Sequence, residues 1–456
     1  MANLIRLLQK LDYIRLVVGI CIMIDGYPLI FFFRDTLRLA TGSTAFTAAA
    51  FSAGLLLMVP FTVLRRLYRP NVITFWIGMG FLLLSIIYMY VYPGLGGVDY
   101  TREMIYFGFI FIFLFLLINI PNDIITVAIP VIVFFTLVSN LGLIYALITD
   151  PSWAIGQRAT IVLNDSEDGS GNPHVFARNA FMGVIACAIW LMRPDTSFLF
   201  RLVSLFAGIL NIAVLVLTQT RSAIVALIIA VFFFVVFNVR PAQIRTAVRG
   251  IFRPGPIIVM CIGVVGLILF FRRYDDIFTV LSVYVSGFID RNLENVYAFL
   301  GLQSQGAAYK AVLDDSVANR SANFGFLTNI LVGHLHMLIL GYGYKYHYLD
   351  IPMMEALTNM GILGFLLFAG INVMLLYYSI KSMRTNPNSL SVFLAYFYML
   401  IMVQLFTNGR PYEMFFWIPL GMMIRFMGIE HLVPAYLSEQ PATVESDQYA
   451  VVSNPA

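Results

Sequence analysis

The sequence predicts an all-α polytopic membrane protein with about twelve transmembrane helices. Of its 456 residues, 60% are hydrophobic and 11% are charged, whereas an ordinary soluble domain has about 25% charged residues. Apolar stretches long enough to cross a bilayer recur along the chain. The formal charge of +4 is thinly distributed, so a nucleic-acid partner is not indicated. The chain therefore needs membrane lipids as its solvent.

The apolar stretches form two groups of candidate spans. Residues 1–271 are predicted to hold helices at 14–33, 45–64, 71–92, 104–119, 124–148, 175–192, 199–218, 222–238 and 256–271. Residues 350–431 are predicted to hold three more, at 351–379, 391–407 and 411–428. Between them, 272–349 is predicted to be a large helical loop outside the membrane. The polar segment 432–456 is predicted to be a disordered cytoplasmic tail.

The distribution of basic residues predicts the orientation. With the N-terminus in the cytoplasm, the cytoplasmic segments hold a clear excess of Lys and Arg, which is what the positive-inside rule requires. Both termini are then cytoplasmic. The apolar segment 324–341 is interfacial, re-entrant or spanning. We favour an interfacial or protein-buried helix, because His334 and His336 are costly in lipid and an extra span would invert the orientation of the last three spans.

Two arginines on the outward side are candidate anion ligands. Arg221 follows the polar string 218–220 and lies between two apolar stretches. Its planar guanidinium either extends to the lipid headgroups or binds a phosphate or carboxylate bidentately. Arg320 lies in the large loop just before 324–341. Headgroup anchoring and phosphate binding are again the two interpretations.

A second polar cluster lies at the start of the sixth candidate span. Asn172 and His174 flank a proline, and this pattern is typical of a turn that caps a helix as well as of a binding loop. Arg178 lies further on, within the apolar stretch. A charged side chain there is expected to face the interior of the helix bundle.

The region before the tenth candidate span combines tyrosines with acid and base. Tyr344 belongs to a tyrosine-rich string, which is common at membrane interfaces. Asp350 suits the positive end of a helix dipole, yet with His347 it also forms a plausible acid–base pair. Arg410 occupies the turn between the last two spans, where an ion pair is the default interpretation. No P-loop, zinc-ligand spacing or nucleophile elbow occurs in the sequence, and no metal site is predicted.

Four regions, taken in order, resemble the bacterial O-antigen polymerase and O-antigen ligase superfamily of polytopic glycosyltransferases. GNPHVFA at 171–177 is similar to the family's Pro-Asn turn, and LTQTRSA at 217–223 to its Thr-x-Ser-Arg-Gly element. Arg320 resembles the arginine that opens the helix of the family's large loop. DIPMMEALTNMGILGF at 350–365 resembles its acid- or histidine-initiated helix that ends in Gly-x-x-Gly. Asp350 stands where ligases have histidine, which favours a polymerase of the Wzy type.

The resemblance implies a GT-C-like glycosyltransferase in the bacterial inner membrane. It would polymerise undecaprenyl-diphosphate-linked repeat units into O-antigen, capsule or exopolysaccharide at the periplasmic face, without metal or cofactor. Asp350 or His347 would accept the hydroxyl proton, and Arg221 and Arg320 would bind the leaving diphosphate. The other residues expected to bind substrate are Asn172, His174, Arg178, Tyr344 and Arg410. The implied partners are lipid-linked glycans, membrane lipids and a chain-length regulator protein. An O-antigen ligase and a lipid-linked oligosaccharide flippase are the alternative functions.

Overall fold

The chain forms a bundle of α-helices in a computed structural model, and the part that the structure describes contains no β-strand. The described residues are 2–61, 66–94, 98–154, 157–162, 171–193, 196–238, 261–263, 265–266, 268–269, 272–273, 279, 282, 286, 325–326, 328–330 and 332–437. Most of the predicted large loop and of the tail 432–456 lies outside them.

The helices follow the predicted apolar stretches. In the first half they are α1 (Ala2–Asp25), α2 (Tyr27–Phe31), α3 (Thr44–Leu57), α4 (Val72–Val91), α5 (Tyr100–Asn119) and α6 (Ile125–Thr149). The remainder are α7 (Pro173–Met192), α8 (Phe198–Leu217), α9 (Arg221–Asn238), α10 (Pro352–Thr385), α11 (Ser389–Gln404) and α12 (Met414–Phe426). The longer of these helices have a high mean hydropathy, which suits a lipid or bundle environment rather than a soluble surface.

Seven of the described helices are long and apolar enough to cross a bilayer, and the bent pair at the N-terminus would make eight. The seven are α4 to α10, with α6 counted together with the 3₁₀ turn that precedes it. Helices α3, α11 and α12 are apolar but have only 14, 16 and 13 residues. The protein is therefore an all-helical, multi-pass membrane protein. The predicted ninth span, 256–271, lies largely outside the described residues.

The first span is bent sharply at Gly26. Arg6–Asp25 and Tyr27–Thr36 meet at 82°. Pro28 lies in the first turn of α2, and proline has no N–H to donate to a preceding turn, so it begins a new helix more readily than it continues an old one. The bend brings Tyr27 to the wall of the cavity described below.

Helix α10 is broken at Gly361, whose φ of 68° and ψ of −168° are not helical. The break removes the helical N–H partners of carbonyls in the preceding turn. Two of these carbonyls accept from another segment instead: Tyr342 N–H donates to Thr358 O (2.7 Å) and Gly343 N–H to Asn359 O (2.9 Å). Satisfying buried backbone carbonyls in this way fixes the segment before α10 against the helix.

Several of the segments that precede or follow the spans meet at one end of the bundle, which we call the polar end (residues 92–103, 341–355 and 408–414). Gly94 N–H donates to Tyr344 O (2.8 Å), and Tyr344 N–H donates to Tyr92 O (2.8 Å). Gly409 N–H donates to Asp350 Oδ1 (3.2 Å). These bonds join the end of α4, the start of α10 and the turn before α12.

Candidate functional site

A cavity of about 550 Å³ opens at the polar end. It is lined by Tyr27, Val98, Asp99, Arg102, Glu103, Tyr106, Lys345, Arg410, Tyr412, Glu413, Met414 and Phe415. The lining thus combines three cations, three carboxylates and three tyrosines. A site of this size with convergent charged groups is the usual form of a small-molecule site in a helix bundle.

The cations are held by neighbours on the cavity wall. Lys345 forms a short ion pair with Glu103, and its ammonium lies 5.7 Å from the ring centre of Tyr412. Arg102 Nε donates to Tyr106 Oη (3.0 Å) from the next turn of α5. Both cations are thus held by side chains of α5, which limits the ordering that is needed when an anion binds.

Tyr344 supports this wall from behind. Its hydroxyl donates to Glu103 Oε2 (2.8 Å), and its ring packs on that of Tyr412 at 4.6 Å between centroids. Burial, and secondly the Glu103 carboxylate, raise the pKa of Tyr344. The tyrosine therefore stays a hydrogen-bond donor that orients Glu103.

Glu355 forms a buried network beside the cavity. Tyr412 Oη donates to Glu355 Oε1 (2.7 Å), and Leu349 N–H donates to Oε2 (3.3 Å). Asn359 Nδ2 donates to Glu355 Oε1 (3.3 Å) and to Tyr412 Oη (3.1 Å). Arg410 Nη1 completes the network 3.5 Å from Oε1. Burial, followed by the Glu355 carboxylate, raises the pKa of Tyr412 well above its usual range. The network fixes Arg410 where its guanidinium borders the cavity.

Asp350 lies in the turn that precedes α10, at the polar end. It has a left-handed backbone conformation with φ 58°, which is unusual for a residue other than glycine. Its Oδ1 accepts from Tyr348 Oη (2.8 Å) and from Gly409 N–H (3.2 Å). The carboxylate thus holds the turn before α12 against the turn before α10.

His347 lies at the same end, three residues earlier. Its ring packs on Phe326 with 4.6 Å between centroids, and its backbone carbonyl accepts from Asn359 (3.3 Å). Burial, and secondly the positive charge of Arg410, lower the pKa of His347. The imidazole is therefore biased toward its neutral form, which is the form that accepts a proton.

Arg178 is buried between α1, α7 and α12. Nη1 donates to Phe415 O and Nη2 to Ile24 O, both at 2.9 Å. Nε lies 4.0 Å from Asp25 Oδ1, and the guanidinium carbon lies 3.9 Å from the ring centre of Phe415. Since Phe415 lines the cavity, Arg178 is one layer behind its wall and supports it.

Asn172 and His174 begin α7. The Asn172 side chain accepts from His174 N–H (2.9 Å), which is the geometry of a helix N-cap. Arg221 is the first residue of α9 and is partly buried. Arg320 lies outside the described residues. Among the described residues that line the cavity, Arg410 is the one that the sequence predicted as a site residue.

Arg102 and Glu103 were not predicted as site residues from the sequence. Both lie in the first turn of α5, where adjacent charges at the end of an apolar stretch resemble ordinary headgroup contacts. Their role depends on Lys345 and Tyr344, more than 240 positions away in the chain. The available signal was a carboxylate directly at the start of an apolar stretch, where burial is costly without a partner.

No protein-family model matches the chain, and no curated protein matches it in sequence. Within the described residues, no group of three or more His, Cys, Asp or Glu side chains is arranged to hold a metal ion. The arginine and lysine side chains on the cavity wall are groups that bind phosphate or carboxylate oxygens.

Proposed function

We propose that this chain is a membrane glycosyltransferase that polymerises undecaprenyl-diphosphate-linked repeat units into a bacterial surface polysaccharide. The observation that carries the proposal is the cavity at the polar end, where Arg102, Lys345 and Arg410 lie on the wall together with three carboxylates. The sequence resemblance at 171–177, 217–223 and 350–365 supplies the substrate class.

The cations suit the leaving group of this reaction. When the anomeric carbon of the donor is attacked, the bond to the lipid diphosphate breaks and negative charge grows on the diphosphate oxygens. Positive groups that are already in position stabilise that charge without reorganising during the reaction. Arg410 is fixed by Glu355, and Lys345 by Glu103. Arg221 and Arg320 are proposed to add to this charge from α9 and from the large loop.

The finer topology belongs to the same proposal. In this proposal the chain has twelve spans in a GT-C-like arrangement in the bacterial inner membrane, with the polar end at the periplasmic face and both termini in the cytoplasm. Asp350 and His347 are the proton acceptors expected from the sequence. The sugars would be bound or supported by Asn172, His174, Arg178 and Tyr344. A chain-length regulator protein is the proposed partner.

The test is complementation of a gene deletion in the native host. Arg410→Ala should abolish long glycan chains and leave single-repeat products, because the leaving charge loses a fixed cation, while Arg410→Lys should retain short chains. Arg384→Ala is the matched control: this arginine is exposed in the last turn of α10, far along the helix from the polar end, and should support normal chains.

Each alternative function has its own outcome in that experiment. Accumulation of full-length lipid-linked polymer without surface attachment would indicate a ligase. Single repeats trapped on the cytoplasmic leaflet would indicate a flippase. Either result, or normal chain length with Arg410→Ala at wild-type protein level, would refute the proposed polymerase.

A further inference from the structure

We propose that Glu413 is the general base that accepts the proton of the attacking sugar hydroxyl. This inference rests on the proposed glycosyl transfer and deepens it. It assigns the proton transfer to a carboxylate on the cavity wall, rather than to Asp350 or His347, which are the candidates that the sequence alone suggests.

Glu413 is held firmly at the edge of the cavity. It is the residue before α12, its N–H donates to Arg410 O (3.3 Å), and its carbonyl accepts from Phe416 N–H (3.0 Å) and Trp417 N–H (3.3 Å). Gly409, with φ 87°, leaves room for the carboxylate: a Cβ added there would lie 3.1 Å from Glu413 Oε2. The backbone of Glu413 is thus fixed by a tight turn, and the residue lines the cavity.

The other carboxylates in the described part of the site are engaged in holding the fold. Glu103 accepts from Tyr344 and pairs with Lys345. Asp99 accepts from Arg102 N–H (3.1 Å) as the N-cap of α5. Both carboxylates thus orient the wall, Glu103 by holding Tyr344 and Lys345 and Asp99 by capping α5.

The same holds for the two carboxylates near the start of α10. Glu355 is fully buried and receives three hydrogen bonds in addition to the Arg410 contact. Asp350 Oδ1 receives Tyr348 Oη and Gly409 N–H. Neither lies among the cavity-lining residues. Glu413 combines a carboxylate with direct access to the space where an acceptor sugar would lie.

The proposed step balances without a further reactant. The acceptor hydroxyl oxygen forms a bond to the donor's anomeric carbon. The bond between that carbon and the diphosphate oxygen breaks, and its electron pair leaves on the diphosphate. The hydroxyl proton passes to the Glu413 carboxylate and then to water when the product leaves, which restores the base.

The surroundings of Glu413 suit a base at near-neutral pH. Burial raises its pKa above the ordinary value for glutamate, while the Arg410 backbone N–H, the Arg410 charge and the Lys345 charge oppose that rise. A carboxylate with a raised pKa binds a proton more strongly and is a better general base, provided that it remains ionised at the working pH. Activity should therefore fall on the acid side at a pH above the usual titration range of glutamate.

The test uses the purified full-length protein in liposomes with lipid-linked glycans extracted from the deletion host. Glu413→Gln should lower turnover by about 100- to 10,000-fold, the range found for general bases. It should leave unchanged the binding of inorganic diphosphate, measured as protection against thermal unfolding. Glu413→Asp should keep part of the turnover and the acid limb of the pH profile. Glu430→Gln, at the far end of α12 where Glu430 pairs with Lys381, is the matched control with normal activity.

The outcomes separate this assignment from the function on which it rests. Wild-type turnover and an unchanged acid limb in Glu413→Gln, with an active wild type, would overturn Glu413 alone. If Glu413→Gln fails to fold, Glu413→Asp and the pH profile of wild-type activity decide. A wild-type pH profile with no acid limb contradicts the assignment. A wild type that neither forms glycosidic bonds nor binds inorganic diphosphate would overturn the proposed function, and the assignment with it.

Discussion

The ion pair between Arg410 and Glu355 offers the sharpest test of how the site is held. Removing the guanidinium with Arg410→Met leaves a fully buried carboxylate without its counter-charge. At 3.5 Å, two unit charges attract by roughly 5 kcal/mol at an effective dielectric constant of about 20. Losing one partner of a buried pair typically costs about 3–5 kcal/mol.

The hydrogen bonds that remain reduce this cost. Tyr412 Oη and Leu349 N–H still donate to Glu355, and a hydrogen bond to a charged group contributes about 1.5–3 kcal/mol. We therefore expect Arg410→Met to lower the free energy of unfolding by about 2–4 kcal/mol, which is about 1 kcal/mol less than the usual range for broken buried pairs.

A double-mutant cycle isolates the pair. Glu355→Gln removes the charge and nearly preserves the shape, so Arg410→Met should cost less in that background, with a coupling energy of about 1–3 kcal/mol. The assay is unfolding in mixed micelles, followed by intrinsic tryptophan fluorescence, to which Trp417, buried against Phe81, contributes. Additive effects, with a coupling energy below about 0.5 kcal/mol, would refute the inference that Glu355 fixes Arg410.

Three further outcomes are expected. Gly361→Ala should destabilise the protein by more than about 2 kcal/mol and lower its melting temperature, because φ is 68° and the added Cβ would lie 2.4 Å from Ile339 O; an unchanged melting temperature would mean that α10 is not broken there. Arg178→Met should lower the free energy of unfolding by about 3 kcal/mol or more, measured in mixed micelles, and an effect below about 1 kcal/mol would contradict its supporting role. Burial and the charge of Arg410 lower the pKa of His347, so the unfolded chain binds that proton more readily and the stability of the fold should fall as the pH falls through and below about 6.5. His347→Phe should flatten this dependence. A melting temperature that depends on pH as steeply in the variant as in the wild type would contradict it.

Hydropathy predicted where the helices lie because every span must satisfy its backbone within itself and present apolar side chains to lipid. It did not predict the 82° bend between Asp25 and Tyr27. The bend lies inside a stretch of high average hydropathy, and window averages do not register the local break at Asp25, Gly26 and Pro28. Gly361 was recognisable as part of a Gly-x-x-Gly motif, but its left-handed conformation depends on the segment at 341–343 docking against α10.

The candidate site was predictable in part. Sidedness alone indicated that the turn at Arg410 and the segment around Asp350 lie at one end, and the Gly409–Asp350 hydrogen bond joins them. The partners Glu103 and Lys345 could not be paired from sequence, because their contact joins the start of α5 to a segment before α10. Glu355 is a polar residue along the tenth span, yet its network with Tyr412 arises only when α10 and the turn before α12 are packed together.

The cavity also explains why polar residues are tolerated at the membrane end of so apolar a chain. Buried charges that line or back it have a counter-charge or a hydrogen-bond partner in another segment, as Arg178 has in the carbonyl oxygen of Phe415, to which it donates. Such pairing limits the cost of desolvation. The same pairing orients the cations toward the open space, so stability and the proposed anion binding depend on one set of contacts.

The most direct measurement is glycan synthesis by the purified chain in liposomes supplied with lipid-linked repeat units from the deletion host. We expect a ladder of longer lipid-linked glycans, with one undecaprenyl diphosphate released for each glycosidic bond formed, and loss of the ladder in Arg410→Ala. Transfer of unmodified lipid-linked repeats across the bilayer, with no new glycosidic bond, would contradict the proposed polymerase.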